Sequence, residues 1–256
     1  MRVVKAALSA AAAAGLGLVL LAGSHAQAGI LLQDTFTYPD GPLVTVSGGI
    51  WATHSGTAGQ VDVLSGLVNL TQAESEDVNS TLLSSISTGM IYFSFDMALT
   101  GLPSGTGGYF AHLKDAGPSN FRARVFATTT GAASGFYRLG IAAGGNTPAF
   151  FPLDLATGEL HKVVVSYDVA AAPTPVATLY IDPVTETGGV ASTDTTSVIT
   201  ITSFALRQSL ASGNGMGTLT LDNLIVGQSF AEVVPEPASA MVLAIGAGLL
   251  AMRRRR

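Results

Sequence analysis

Short strand-like runs recur along the chain, and in the best of them apolar and polar positions alternate with a period of two. In "MIYFSFDMAL" (residues 90–99), Ile91, Phe93, Phe95, Met97 and Leu99 fall on one face. Tyr92, Ser94, Asp96 and Ala98 fall on the other. Such alternation marks a strand with one buried face. Shorter strand-like runs recur at 30–36, 60–63, 67–70, 81–86, 109–113, 121–128, 136–141, 161–167, 176–181, 199–206 and 218–226. Gly, Pro, Ser and Asn separate them. "VDVLSGLVNL" reads as a tight hairpin turning at Ser65-Gly66. "GLPSGTGG" (101–108) and "AAGGNTP" (142–148) read as exposed loops, and no helical periodicity appears between residues 29 and 234. A sheet with one apolar face must bury it against another layer, so the pattern predicts an all-β fold, an antiparallel β-sandwich.

The two ends break this pattern. Arg2 and Lys5 precede an apolar run from Ala6 to Ala22, and "AQA" at Ala26–Ala28 has the small-x-small form of a cleavage site. Residues 1–28 thus read as a signal helix removed on export, with Gly29 as the new N-terminus. At the other end, Ala238–Met252 is an apolar run of fifteen residues followed by Arg253, Arg254, Arg255 and Arg256. As a helix it reaches roughly 22 Å, short of the roughly 30 Å hydrocarbon core, which suits a temporary anchor. The arginines stay on the cytoplasmic side by the positive-inside rule, so the body faces outward.

"VPEPASAMVLAIGAGLLAMRRRR" carries three elements in order: Pro235-Glu236-Pro237, the hydrophobic run and the arginine cluster. It resembles the PEP-CTERM sorting signal of exported proteins in Gram-negative bacteria that make extracellular polysaccharide. The resemblance covers about the last 24 residues. It implies an inner-membrane intermediate, export machinery and an exosortase-like enzyme as partners, and a final place at the cell surface or in the extracellular matrix. The organisation expected is therefore a signal peptide (1–28), a β-sandwich domain (29–234) and a sorting segment (235–256).

Between these ends lie six basic residues, Lys114, Arg122, Arg124, Arg138, Lys162 and Arg207, against sixteen acidic ones, a net charge of 6 − 16 = −10. An acidic body argues against nucleic acid as a partner. The absence of cysteine excludes disulfides and thiolate sites. Within the body, "LHKVVVSYD" (160–168) followed by "ATLYID" (177–182) resembles the paired central strands of concanavalin A-like, laminin-G-like jelly rolls. "DTFTYPDGPL" (34–43) and "LDNLIVGQSF" (221–230) resemble their opening and closing strands. This sequence departs from the pattern at Leu160, where an aromatic is usual, and after Asp182, where a glycine is usual.

Sugar-cleaving enzymes on such folds group carboxylates on one strand face. The nearest approach is "AESEDVN", where Glu74 and Glu76 share a face and Asp77 opposes them. The segment reads as a solvated acidic loop. His54, His112 and His161 are far apart in sequence, without metal-ligand spacing. The jelly-roll resemblance implies calcium as the candidate cofactor, with Asp34 and Asp222 brought together if the terminal strands pair. Four residues are candidates for carbohydrate. Trp51, the only tryptophan, and Tyr92 offer rings; Arg122 and Arg124, sharing a face in "FRARVF", offer charge for an anionic polysaccharide. For each, a structural or solvated role is the competing reading. The function expected is a non-catalytic structural, adhesive or carbohydrate-binding role. The alternatives are a polysaccharide hydrolase or lyase, and a scaffold without a ligand.

Overall fold

The computed structural model describes residues 29–235. The signal segment, Glu236, Pro237 and the terminal arginines lie outside them, so the two expected flanking helices do too. Among the described residues no helix is long and apolar enough to cross a membrane.

Two antiparallel sheets form a sandwich. The first runs, in spatial order, through Val190–Ala191, Val176–Ile181, Leu160–Asp168, Met90–Gly101, Thr218–Gly227, Leu67–Thr71, Asp62–Leu64 and Gly41–Pro42, with Leu32–Asp34 also paired on Thr218–Gly227. The second runs through Ala149–Phe150, Phe136–Ala142, Phe121–Thr128, Gly108–Lys114, Ile201–Arg207, Asp77–Ile86 and Ala52–Ser55, with Leu155–Ala156 on Phe136–Ala142. Hairpin neighbours alternate with pairs far apart in sequence, such as Met90–Gly101 with Thr218–Gly227 and Gly108–Lys114 with Ile201–Arg207, which is the crossing-over of a jelly roll.

The inward faces meet in one apolar core. Phe93 and Phe95 of the first sheet pack on Phe204 and Phe110 of the second, with ring centroids 5.3 Å and 6.0 Å apart. Such edge-on contacts suit the ring quadrupoles. The predicted hairpin turns at Ser65-Gly66, both at positive φ, as a two-residue turn joining Leu64 to Leu67 requires. The long strands fall close to their predicted spans. The short strands at 41–42, 149–150, 155–156 and 190–191 do not show as alternation, because two residues contain no period.

The polar face of Met90–Gly101 is covered rather than solvated. A short helical turn, Phe230–Val233, lies on it, and Tyr92, Val164, Tyr180 and Val233 form a second small core. Ser94 donates to the Val233 carbonyl at 2.7 Å. The acidic segment is a loop over 72–76, as expected, but Glu76 and Asp77 are not solvated. Glu76 is fully buried, accepting from the backbone N–H groups of Gln60 and Val61 at 2.7 Å each and from the Thr53 hydroxyl. Asp77 opens a strand. Two stray backbone donors between strands explain why a carboxylate sits there.

Candidate functional site

The sequence-predicted residues separate. Trp51 is 1% exposed, stacked near Phe36 and Phe204, and its indole N–H donates to Asp34 at 2.8 Å. No sugar reaches that ring. Tyr92 is buried under the closing turn, its hydroxyl donating to Glu186 at 2.9 Å. Asp34 also accepts from Tyr38 and from the Phe36 backbone, so its carboxylate is filled by protein donors. Leu32–Asp34 does pair with the last strand, but Asp222 sits opposite Asp96, whose partners are Lys162 at 2.6 Å and Asn223 at 2.9 Å. Desolvation, with the nearby Asp96 and Asp34 charges, pushes the Asp222 carboxyl up. Among the described residues no group of three or more His, Cys, Asp or Glu is arranged to hold a metal. Asp34 is thus taken up by protein donors, and Asp222 faces Asp96 across the strand pair.

Arg122 and Arg124 do not share a face. Ala123 sits at φ +50° in a β-bulge, where the three-residue step from Arg122 to Val125 spans the two-residue step from Leu113 to Ala111. The extra residue turns the strand over. Arg122 pairs with the core residue Leu113 and is buried, donating to the Ser197 carbonyl and hydroxyl at 2.9–3.1 Å. Arg124 emerges on the outward face of the second sheet.

A second bulge on the neighbouring strand, at Phe110-Ala111, brings Tyr109 to that same outward face beside His112 and Lys114. The result is a cluster that simple alternation hides. The Arg124 guanidinium lies 4.9 Å from the Tyr109 ring centre and 5.5 Å from that of Phe121. The Arg207 guanidinium lies 4.3 Å from the Tyr109 ring. His112 packs under these rings, 4.4 Å from Phe121 and 5.5 Å from Tyr109, with His54 6.2 Å away. Guanidinium–ring contacts of this kind hold the cations in place without neutralising them.

The partners of these cations are few. Arg124 donates to the neutral Asn146 at 2.6 Å, and its Nε–H is buried without an acceptor. Lys114 donates only to the Asp115 backbone carbonyl. Arg207 stands 3.8 Å from Asp77, and Arg138 is paired with Asp154 at 2.5 Å. Burial pushes Asp77 up to about 6, the Ser55 hydroxyl and Arg207 opposing it. Asp194, the other acid nearby, is taken up by the backbone N–H groups of Ala143, Gly144 and Gly145, which orders the glycine-rich loop behind Arg124. Beside the cluster an open depression of about 420 Å³ is lined by His54, Asn79, Thr81, Lys114, Pro118 and Ser203, among others.

Titration bears on the chemistry available. Burial, then the Lys114 charge, lowers His54 to about 4. Burial, then the charges of His54, Arg124, Arg207 and Lys114, holds His112 well below the ordinary imidazole range. Burial raises the Tyr109 hydroxyl even though both guanidinium groups oppose it. Both nitrogens of each imidazole are buried and unpartnered. Both imidazoles are thus neutral and covered, and the Tyr109 phenol keeps its proton at neutral pH. His161, the remaining body histidine, is held by Asp182 at 2.8 Å, away from this face.

No protein-family model matches the sequence, and no curated protein matches it. Solved structures share the architecture. An alginate lyase, Aly36B, in complex with an alginate tetrasaccharide superposes with a TM-score of 0.50 at 13% identity, covering 77% of this chain and 96% of that one. The carbohydrate recognition domain of Emp47p gives a TM-score of 0.46 at 11% identity over 80% of this chain and 96% of the other. An endo-β-1,4-glucuronan lyase from the fungus Trichoderma reesei gives 0.48 at 14% identity, with 78% and 98% covered. At these identities the likeness is one of fold: a concanavalin A-like jelly-roll sandwich.

Proposed function

We propose that this is an exported surface or matrix protein whose sandwich binds an acidic extracellular polysaccharide across the outward face of its second sheet. The export half of this reading rests on the sequence alone. The signal segment directs the chain outward, and the Pro235-Glu236-Pro237 tail hands it to an exosortase-like enzyme.

One observation carries the binding half. In a body of net charge −10, Arg124 and Arg207 flank the Tyr109 ring on one sheet face, with Lys114 buried on the same face and Arg138, paired with Asp154, on the strand beyond. Guanidinium groups suit carboxylate geometry, and flat rings suit the apolar side of a sugar. Polyuronate supplies both. On the opposite face of the sandwich the Phe230–Val233 turn covers Tyr92, Val164 and Tyr180.

Cutting is less well supported than binding. Hydrolysis needs two carboxylates flanking the scissile bond. Here Asp77 is bonded to Ser55 and faces Arg207, Asp154 is paired with Arg138, Asp194 is taken up by backbone donors, and Glu76 is fully buried. Elimination, the chemistry of the lyases sharing the fold, needs a base to remove a proton beside the uronate carboxylate. Tyr109 between two guanidinium groups is the feature that favours this second reading, and its raised hydroxyl opposes it.

Retention on immobilised alginate against a neutral glucan tests the proposal. The protein is expected to be held by alginate, released by salt, and to pass through the glucan. Arg124→Gln/Arg207→Gln should weaken retention at least about tenfold, the worth of one charge-assisted hydrogen bond. Retention unchanged in that variant would sink the binding reading. Growth of the ultraviolet absorbance of unsaturated uronate, lost in Tyr109→Phe, would establish the lyase instead. For the export half, the intact mass of the native surface protein should begin at Gly29 and end near residues 235–237. A chain still carrying Arg253–Arg256 would contradict sorting.

A further inference from the structure

Glu232 holds an unusual place. Its Oε2 accepts from the backbone N–H groups of Gln228 and Ser229, at 2.8 Å and 3.0 Å, closing the capping box of the Phe230–Val233 turn. Neither of those bonds uses Oε1. The carboxylate sits between two glycines from opposite ends of the chain. A Cβ added at Gly29 would overlap it, falling 2.6 Å from Oε2 and 2.7 Å from Cδ. One added at Gly227 would fall 2.8 Å from Oε2. Gly227 is not held at glycine by a positive φ. Glycine at both positions makes room for this one carboxylate. The backbone nitrogen of Gly29 is roughly 2.5 Å from the imagined Cβ by covalent geometry, so it lies within about 5 Å of the carboxylate oxygens.

We infer that Glu232 is the acceptor for the α-ammonium that export creates at Gly29. This rests on the proposed cleavage between Ala28 and Gly29. Before cleavage the Gly29 nitrogen is a neutral amide. Hydrolysis of the Ala28–Gly29 peptide bond leaves a carboxylate on the departing signal segment and a free amine on Gly29, protonated at neutral pH. That cation appears within reach of the unused carboxylate oxygen. The ion pair fastens the new N-terminus to the turn that ends two residues before the Pro-Glu-Pro motif. Removal of the leader thus secures the docking of the chain's other end over Tyr92, Val164 and Tyr180. Processing at one terminus is coupled to the presentation of the other. The other charged groups near this corner, Glu186 and Asp168 around Tyr92, are also carboxylates and favour the ammonium in the same sense.

The test uses the exported protein purified from a Gram-negative host expressing the full-length gene. Its intact mass first fixes the N-terminal residue. Reductive ¹³C-methylation then reports the titration of the α-amine by NMR. The amine is expected to hold its proton to a pH about one unit above the ordinary 7.7–8.0, and to fall back towards that range in Glu232→Gln. Glutamine keeps the capping box, so this variant removes charge alone. It should lower the thermal midpoint by about 1–3 °C. With one serine inserted between Ala28 and Gly29, the ammonium moves a residue away, and Glu232→Gln should then cost less than half as much. A mass starting at another residue would overturn the cleavage reading and this inference together. A mass starting at Gly29 with an amine of ordinary titration, or an equal cost of Glu232→Gln in both N-terminal forms, would overturn this inference alone.

Discussion

Trp51 and the two bulge-flanking arginines show how burial decides the role of a side chain. An indole on a sheet surface is a sugar platform; at 1% exposure, bonded to Asp34, it is a core anchor. Trp51→Ala should therefore cost about 3–5 kcal/mol of stability. Trp51→Phe should cost about 1–3 kcal/mol, because Asp34 loses a buried donor. Arg122→Ala should cost a similar 1–3 kcal/mol, roughly, by leaving the Ser197 carbonyl without its donors. Arg124→Ala should change stability by less than about 1 kcal/mol while weakening polymer retention. Urea denaturation of the four variants separates these outcomes. Acid sensitivity also belongs to single groups. His54 and His112 titrate below the unfolded value of 6.5, so unfolding takes up protons and stability falls as pH drops from about 6.5 towards 4. Asp77, raised to about 6, acts in the opposite sense, because the folded state binds its proton first. The two histidines outweigh it. Asp77→Asn should then widen the stability difference between pH 7 and pH 4.5.

At the scale of strands, two β-bulges build the candidate face. Strict alternation in "GYFAHLK" puts Tyr109 opposite His112, and in "FRARVF" puts Arg122 beside Arg124. The bulges at Phe110-Ala111 and Ala123 reverse both. The long strands were legible because five or more residues carry a clear period, as in Met90–Gly101. The cluster was not, because one extra residue in a pair leaves no mark on composition. Glu76 was misread for a related reason: its partners, Gln60 and Val61, come from a strand connection fifteen residues away. The turn over Tyr92 was likewise invisible, since four residues hold no helical period. The Ala123 bulge makes its own prediction. Alanine at φ +50° carries a strain of about 1–2 kcal/mol that glycine does not. Ala123→Gly should be neutral or stabilising by up to about 1 kcal/mol, where an Ala→Gly change in an ordinary strand destabilises. Matched denaturation curves of Ala123→Gly and Ala127→Gly check this.

For the molecule as a whole, the sandwich gives its two outer faces different tasks. The first sheet seats the closing turn and receives the start of the described chain beside it. The second sheet carries Arg124, Arg138 and Arg207, half of the six basic residues of the acidic body, on its outward face. Repulsion from the acidic surroundings and attraction at this face together favour an extended polyanion lying along one side. Exposed charge contacts are screened by salt, so binding should weaken steadily between low and physiological ionic strength. An NMR titration with an oligouronate tests the assignment of the face most directly. The account predicts that the Arg124 Nε–H and the ring resonances of Tyr109 and Phe121 shift on addition of the oligouronate, while those of Tyr92, Tyr180 and Phe230 stay in place. Shifts confined to Tyr92, Tyr180 and Phe230, or none anywhere at millimolar oligouronate, would contradict it.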